Sequence, residues 1–371
     1  MAFDAFDSAA MLRALKLAER GEGRVEPNPM VGAVIATLDP DGHRKIVAEG
    51  WHAEYGGDHA EVMALASAGT FARGATLYAT LEPCCHRGKT APCTVAIIAA
   101  GIARVVVATQ DPFESVNGSG IAALRAAGIT VEQGLHADEA RRLTAPFQKL
   151  MLNKKPWLIA KWAMSLDGCM ATGQPDNRWI SSVESRGIVH ALRGRIDAIA
   201  VGIGTVLADD PDLTARPPGL RQPLRIILDS NARLPLTSRL VESAQRIPLL
   251  IATGPLAPAD RLQRLRDAGC EIWIGNDPSP AARLESLLLE LGARQLTNLL
   301  VEGGPTLLGS LFHSADIDEI WAFVAPKIIG DQLAPASTFF GPHVPPIHIE
   351  HVSHPGGDIF IRGTVIAPQR N

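Results

Sequence analysis

His59-Ala60-Glu61, followed downstream by Pro83-Cys84-Cys85-His86-Arg87-Gly88-Lys89-Thr90-Ala91-Pro92-Cys93, is the stretch from which the fold of this chain can be read. One imidazole and two thiolates form a ligand set that zinc takes with its fourth position open, where water is acidified and becomes a nucleophile. Glu61, beside that position, is placed to move the proton. Alone, His59-Ala60-Glu61 would read as a half-buried histidine followed by a surface acid; Cys84 and Cys93 turn the reading to zinc. The pattern puts His59 and Glu61 at the start of one helix and Cys93 at the start of another, so helix N-termini face the metal and favour thiolate and carboxylate charge. Both cysteines are expected to bind ionised, and Cys85 to point away as a small packed neighbour.

Outward from this core, strands and helices alternate. Residues Asp7 to Arg20 place Ala10, Leu12, Leu15, Leu17 and Ala18 on one helical face, and Gly21 to Pro29 ends it. Val31 to Thr37 and Ile46 to Gly50 read as paired strands around Asp39-Pro40-Asp41-Gly42, His59 to Ser67 as a helix, and Ala75 to Leu81 as the strand delivering Pro83-Cys84. Cys93 to Ala100 is a helix, and Val105 to Thr109, Gly120 to Ala127 and Ile129 to Glu132 continue the alternation. Further on come strands Trp157 to Ala163, Ala198 to Gly202, Leu224 to Leu228, Leu249 to Ala252 and Asn298 to Val301, with helices Ser182 to Gly194 and Pro280 to Leu291. The pattern predicts two α/β domains, 1–145 and 157–371, joined by a linker at 146–156.

A length of 371 residues suits two cores, and a hydrophobic content of 46% makes both globular. Net charge is −4 with pI near 6.3, so no basic field exists to hold a polyanion, which argues for small substrates and against nucleic acid. The five cysteines form no disulfide-like framework. With no cationic leader and no long uncharged apolar run, the expectation is a soluble cytoplasmic protein with no membrane partner.

A His-x-Glu segment followed by a Pro-Cys segment is the arrangement of zinc deaminases, in which water attacks an amino-bearing ring carbon and Glu serves as acid and base. The eight residues between Cys84 and Cys93 exceed the two of the ordinary signature. Asn28-Pro29-Met30-Val31-Gly32, Gly50-Trp51-His52, His59-Ala60-Glu61 and Glu82 to Cys93 together resemble the deaminase half of the bifunctional riboflavin biosynthesis deaminase–reductases. The resemblance implies a cytidine-deaminase-like three-layer α/β/α fold. It also implies zinc on His59, Cys84 and Cys93, and Glu61 as the catalytic proton shuttle. It explains the long insertion by His86 and Lys89, which would meet the ribose phosphate, and assigns Asn28, His52 and Asp111 to the pyrimidine nucleotide. Glu114 stands where the family carries a second proline after Asp111-Pro112.

In the second half Gly202-Ile203-Gly204-Thr205 follows a strand, and Val301-Glu302-Gly303-Gly304-Pro305-Thr306 ends a strand with Pro305 at a helix start suited to a pyrophosphate. No Gly-x-Gly-x-x-Gly with a later acid is present, so an ordinary Rossmann fingerprint is missing. Lys161 to Gly168, Trp179-Ile180-Ser181-Ser182, Arg193, Thr205 to Arg216, Leu228-Asp229-Ser230 and Glu302 to Thr306 resemble the reductase half of the same family, in order. That likeness implies a dihydrofolate-reductase-like α/β fold using NADPH. Ala163, Trp179, Thr205, Asp209, Ser230, Gly303, Gly304, Pro305 and Thr306 would hold the cofactor. Lys161, Asn177, Arg193, Leu213, Arg216 and Glu302 would hold the ribosylamino-uracil phosphate, with Lys161 and Asp209 the polar groups nearest to proton movement. Asn177 and Cys169 depart from the residues usual in the family. A homo-oligomer, dimer or tetramer, is expected. The alternatives are a tRNA or free-base deaminase fused to an unrelated domain, and a zinc-binding regulator without activity; Glu61 argues against the second, since a structural site has no use for an acid there. The cluster His343, His348, His351 and His354 reads as a solvated tail.

Overall fold

The computed structural model describes residues 3–39, 41–86, 91–113, 116–171, 179–330 and 345–366. The chain divides into two units, Met1–Lys154 and Lys155–Asn371.

In the first unit the elements run α1 (Ala5–Ala18), β1 (Gly32–Leu38), β2 (Arg44–Trp51), α2 (Ala60–Ala68), β3 (Thr76–Leu81), α3 (Cys93–Ala100), β4 (Arg104–Thr109), α4 (Ser119–Ala126), β5 (Thr130–Gln133), α5 (Ala137–Leu143) and α6 (Ala145–Asn153). The strands form one sheet in the order β2-β1-β3-β4-β5, antiparallel through β1 and parallel from β3 to β5. Because successive side chains of a strand point to opposite faces, Ala33 and Ile35 join α2, α3 and α4 in one core while Val34 and Ala36 join α1 and α5 in another. That is the expected three-layer α/β/α arrangement. Helix α1 starts with a capping box between Asp4 and Asp7, and Gly101 closes α3 in the left-handed conformation at φ 73°. Residue 50 must be small: a Cβ at Gly50 would lie 2.3 Å from the Ala60 carbonyl oxygen, so α2 rests directly on β2. The segment expected to be a linker at 146–156 is largely helical: α6, Ala145–Asn153, runs through most of it and has a proline in its first turn.

The second unit runs β6 (Trp157–Ser165), α7 (Val183–Arg193), β7 (Ala198–Gly202), α8 (Ile203–Asp209), β8 (Leu224–Leu228), α9 (Arg239–Glu242), β9 (Leu249–Thr253), α10 (Ala259–Asp267), β10 (Glu271–Ile274), α11 (Pro280–Ala293), β11 (Asn298–Val301), α12 (Pro305–His313), β12 (Glu319–Ala325), β13 (Ile347–Ser353) and β14 (Ile359–Val365). Its sheet has the order β10-β9-β8-β7-β11-β6-β12-β14-β13, parallel from β10 to β12 and antiparallel at β14 and β13. Continuous apolar runs such as Leu249-Leu250-Ile251-Ala252 are buried on both faces, as parallel strands require when helices cover each side. Helices α7, α9 and α10 cover one face, α11 and α12 the other. Each fully buried Leu or Ile contributes roughly 1.5–3 kcal/mol.

The Gly202-Ile203-Gly204-Thr205 segment that follows β7 is the start of α8, with Gly202 as its N-cap. The expectation for the histidine cluster is corrected. His348 and His351 lie within strand β13 rather than in a solvated tail; five of its seven residues are exposed, which hid the strand in a polar pattern. Among the residues expected to matter, Lys89, Glu114, Asn177 and His343 lie outside the described residues. No helix among the described residues is long and apolar enough to cross a membrane.

Candidate active sites

The first site lies at the carboxyl ends of the adjacent parallel strands β3 and β4. Strand β3 ends at Leu81 and delivers Cys84, while β4 ends at Thr109 and delivers Asp111; Leu81 and Thr109 are paired across the ladder. His59 is the N-cap of α2, Glu61 sits in its first turn, and Cys93 is the first residue of α3. The His59, Cys84 and Cys93 donor atoms all lie within 4.8 Å of one another. His59 Nδ1 is 3.2 Å from Cys93 Sγ and 3.5 Å from Cys84 Sγ, and the Cys93 amide donates to Cys84 Sγ at 3.4 Å. One nitrogen and two sulfurs so gathered at helix N-termini fit a single tetrahedral zinc ion.

The electrostatics agree with that fit. Hydrogen bonding with Cys93 and His59 pulls Cys84 well below the ordinary thiol range, whereas bonding to Cys84 and burial push Cys93 up. The two thiols share their ionisation, and a cation between them favours the charged form of both. Burial raises the Glu61 carboxyl against the pull of His59, which keeps a proton within its reach. Around this centre Asn28 Nδ2 meets His52 Nε2 at 3.0 Å, and His52 Nδ1 meets the Asp58 carbonyl at 2.9 Å. As Asn28 donates the first bond, the proton of His52 sits on Nδ1 and is donated to Asp58. Burial lowers the His52 pKa and so favours this neutral ring. Asp111, 8% exposed, has its carboxyl raised to about 6, chiefly by burial. The exposed His86 ring lies 5.7 Å from that of Phe113.

The second site lies where β11 enters the sheet between β6 and β7, a crossover point in the strand order at which open α/β sheets leave a crevice. Glu302 follows β11 and its amide donates to the Ala200 carbonyl of β7. Its carboxylate takes two bonds from the Arg193 guanidinium, at 2.6 and 2.9 Å, and lies 3.8 Å from Lys161 Nζ on β6. Burial alone would raise Glu302, but Arg193 and then Lys161 outweigh it and hold the carboxyl at about 2. Lys161 is itself lowered, first by burial. Beside this trio, β11 runs into α12 through Gly303 and Gly304, with Gly304 as N-cap and Pro305 in the first turn. A Cβ at Gly304 would meet no atom within 4 Å, so the helix start is open to a pyrophosphate, which fits a dinucleotide cofactor.

Two family models match the two halves. Residues 4–109 match the cytidine and deoxycytidylate deaminase zinc-binding region, and residues 156–354 match the RibD C-terminal domain. The riboflavin biosynthesis protein RibD of Aquifex aeolicus is 42% identical over 329 residues, covering 88% of this chain and 89% of that protein. The chain belongs to the RibD family of riboflavin biosynthesis proteins. The Escherichia coli RibD is 38% identical across 95% of this chain and 98% of its own length. Among solved structures, Acinetobacter baumannii RibD superposes with a TM-score of 0.84 at 35% identity, covering 97% of this chain and 99% of that one. A diaminohydroxyphosphoribosylaminopyrimidine deaminase/5-amino-6-(5-phosphoribosylamino)uracil reductase from Thermotoga maritima superposes with a TM-score of 0.81 at 35% identity and the same coverage. RibD membership makes the chain a bifunctional deaminase and reductase of riboflavin biosynthesis acting on small pyrimidine substrates. The tRNA-deaminase fusion and the inactive regulator are set aside by likeness along almost the whole chain.

Seven of the residues singled out from the sequence lie in two clusters. His59, Glu61, Cys84 and Cys93 form one cluster; Lys161, Arg193 and Glu302 form the other. Two side chains fall differently from the simplest expectation. Leu213 is 2% exposed and packs into the core, so only its main chain, held at φ 55°, is free to meet a ligand. His52 has both ring nitrogens engaged inside the protein and reaches a ligand through Asn28. Trp179 is exposed under the Arg186 guanidinium at 4.5 Å, Ser230 accepts from Arg283, and Arg216 pairs with Asp212 at 3.4 Å. Sequence reasoning passed over Asp167, which accepts from the Ile329 and Gly330 amides, and Glu82, whose partners lie beyond the next strand. The Ser165-Leu166-Asp167-Gly168 turn was a signal for the first; nothing in local spacing marked the second.

Proposed function

We propose that the chain carries out the two activities of its family at the residues gathered above: hydrolytic deamination of the diaminopyrimidinone ribosyl phosphate, then NADPH-dependent reduction of its ribosyl chain to ribityl. The observation that carries the reading is the buried Glu61 carboxyl beside the His59, Cys84 and Cys93 donors. These three would hold zinc, which when bound supplies a Lewis acid that acidifies water for attack on the amino-bearing carbon. Glu61 takes the proton of the attacking water and hands it to the departing amino nitrogen, a task suited to a carboxyl whose pKa burial raises. Asn28, oriented by His52, and Asp111 hold the pyrimidine, and His86 and Lys89 meet the phosphate.

In the second half Ala163, Trp179, Thr205, Asp209, Ser230 and the 303–306 junction hold NADPH, which when bound supplies the hydride. Lys161, Asn177, Arg193, Leu213, Arg216 and Glu302 hold the substrate. Glu302 fixes the guanidinium plane of Arg193 so that its remaining donors stay aimed, and Lys161 offers a proton where the sugar opens. The enzyme is proposed to work in the cytoplasm as a homo-oligomer, dimer or tetramer.

The test is a two-step assay on zinc-loaded Glu61→Gln. Zinc should remain, ammonia release should fall by at least about 100-fold, the low end of a general acid–base contribution, and NADPH oxidation on pre-deaminated substrate should be unchanged. Unaltered ammonia release would overturn the assignment, and loss of both activities together would contradict independent sites.

A further inference from the structure

Glu82 stands two residues before Cys84 and is only 3% exposed, yet its carboxylate faces no cation among the hydrogen bonds and ion pairs of the described residues. Its partners are backbone amides. Oε2 accepts from Asp111 at 3.3 Å and from Gly118 at 2.9 Å, and Oε1 accepts from Ile121 at 3.1 Å. Helix α4 begins at Ser119 after Gly118, which has no side chain to cap it, so Glu82 satisfies its first amides from across the unit. The contact is close: a Cβ at Gly120 would lie 2.1 Å from the Pro83 carbonyl oxygen. The Glu82 amide in turn donates to Thr109 at 3.0 Å, and the Cys84 carbonyl accepts from Thr94 of α3. One carboxylate thus ties three pieces together: the Cys84 segment, the Asp111 loop and the start of α4.

We infer that Glu82 is a positioning residue of the deaminase, holding Asp111 and Phe113 at a fixed distance from Cys84. Asp111 can serve the pyrimidine only if its backbone is held, and the Asp111 amide is one of those Glu82 grips. The Asp111 carboxylate turns back to accept from the Phe113 amide at 2.8 Å, which carries the order on to the Phe113 ring beside His86. A glutamine at 82 keeps the shape but loses the charge and turns an amino group toward amide donors. The inference rests on the proposed role of Asp111 as a substrate contact.

The experiment is ammonia release by the full-length zinc-loaded chain in a double-mutant cycle of Glu82→Gln and Asp111→Asn, with zinc content measured for each. Losing a charge-assisted bond to a buried amide shifts a local equilibrium roughly ten- to hundred-fold. Glu82→Gln should therefore keep zinc and raise KM at least about tenfold, with a smaller loss in kcat. The double variant should fall short of the product of the single effects, because both act through one loop. An unchanged KM in Glu82→Gln, fully multiplicative effects, or loss of zinc would each overturn the positioning role. Unmoved KM in Asp111→Asn would remove the substrate contact as well, so failure of the underlying reading is distinguishable from failure of this one.

Discussion

Replacing Glu302 by Gln should destabilise the second unit measurably at neutral pH and much less in acid. The carboxyl is largely enclosed, its side chain 12% exposed, and is held at about 2 against an ordinary 4.5 by Arg193 and Lys161. That difference corresponds to roughly 3 kcal/mol, since one pKa unit is worth about 1.4 kcal/mol. The folded-state value is depressed, so the contribution is fully present above the unfolded value near 4.5 and is lost as pH falls toward 2. The variant leaves two largely enclosed cations, with side chains 12 and 16% exposed, facing an amide, which puts the cost at or below the roughly 3–5 kcal/mol expected for breaking a fully buried pair from one side. For a unit the size of Lys155–Asn371, the transition should drop by roughly 6–12 °C at pH 7. Differential scanning calorimetry at pH 7 and stepwise down to pH 3 is the assay, with the trace resolved into transitions because two units need not unfold together. Adding Arg193→Met should recover part of the loss by removing one orphaned charge. A fall of less than about 2 °C at pH 7 would refute the electrostatic account, as would an equal fall at both ends of the pH range.

Arg225, fully buried, gives its guanidinium to the Ile247 and Leu240 carbonyls and to Ser243 Oγ, and burial lowers its pKa to about 10. Arg225→Met should therefore cost roughly 3 kcal/mol or more in urea denaturation, because several buried acceptors lose their donor at once; a cost below about 1 kcal/mol would count against this. Gly50→Ala should push α2 away from β2 and carry His59 and Glu61 with it, read as weaker zinc retention against a chelator and lower ammonia release with NADPH oxidation intact; full retention would show that α2 yields freely. Asp7, buried under Arg104, Arg44 and Tyr78, has its carboxyl depressed despite burial. Asp7→Asn should lower the stability of the first unit at pH 7, with the gap closing as acid protonates the wild-type carboxylate, followed by circular dichroism.

The first site was legible because its chemistry is carried by side chains at element starts, where sequence signals are sharpest. The helix at Cys93 begins where its spacing put it, and the strand before Cys84 starts within a residue of the expected position and ends at Leu81 as expected. Strands β7, β8 and β11 were equally clear, since continuous apolar runs of that length suit strands covered on both faces. The polar edge strand β13 gave no such contrast. Helices α9 and α10 escaped notice for a related reason: each buries only two residues, Leu240 with Val241 and Leu262 with Leu265. The partnership of Glu302 with Arg193 was not legible at all. Those residues are far apart in the chain, and only the insertion of β11 between β6 and β7 brings the end of α7 to the strand that carries the acid.

That insertion also bears on how the enzyme is made. Strand β11 pairs Asn298 with Trp157 on one side and Leu299 with Ala198 on the other. Until residues 298–301 leave the ribosome, β6 and β7 lack the strand between them, and their facing edges are open to wrong pairing. Nascent chains stalled before that point should hold a completed first unit and a second that is sticky and immature, which makes the stretch between β10 and β11 the interval in which a chaperone has most to protect.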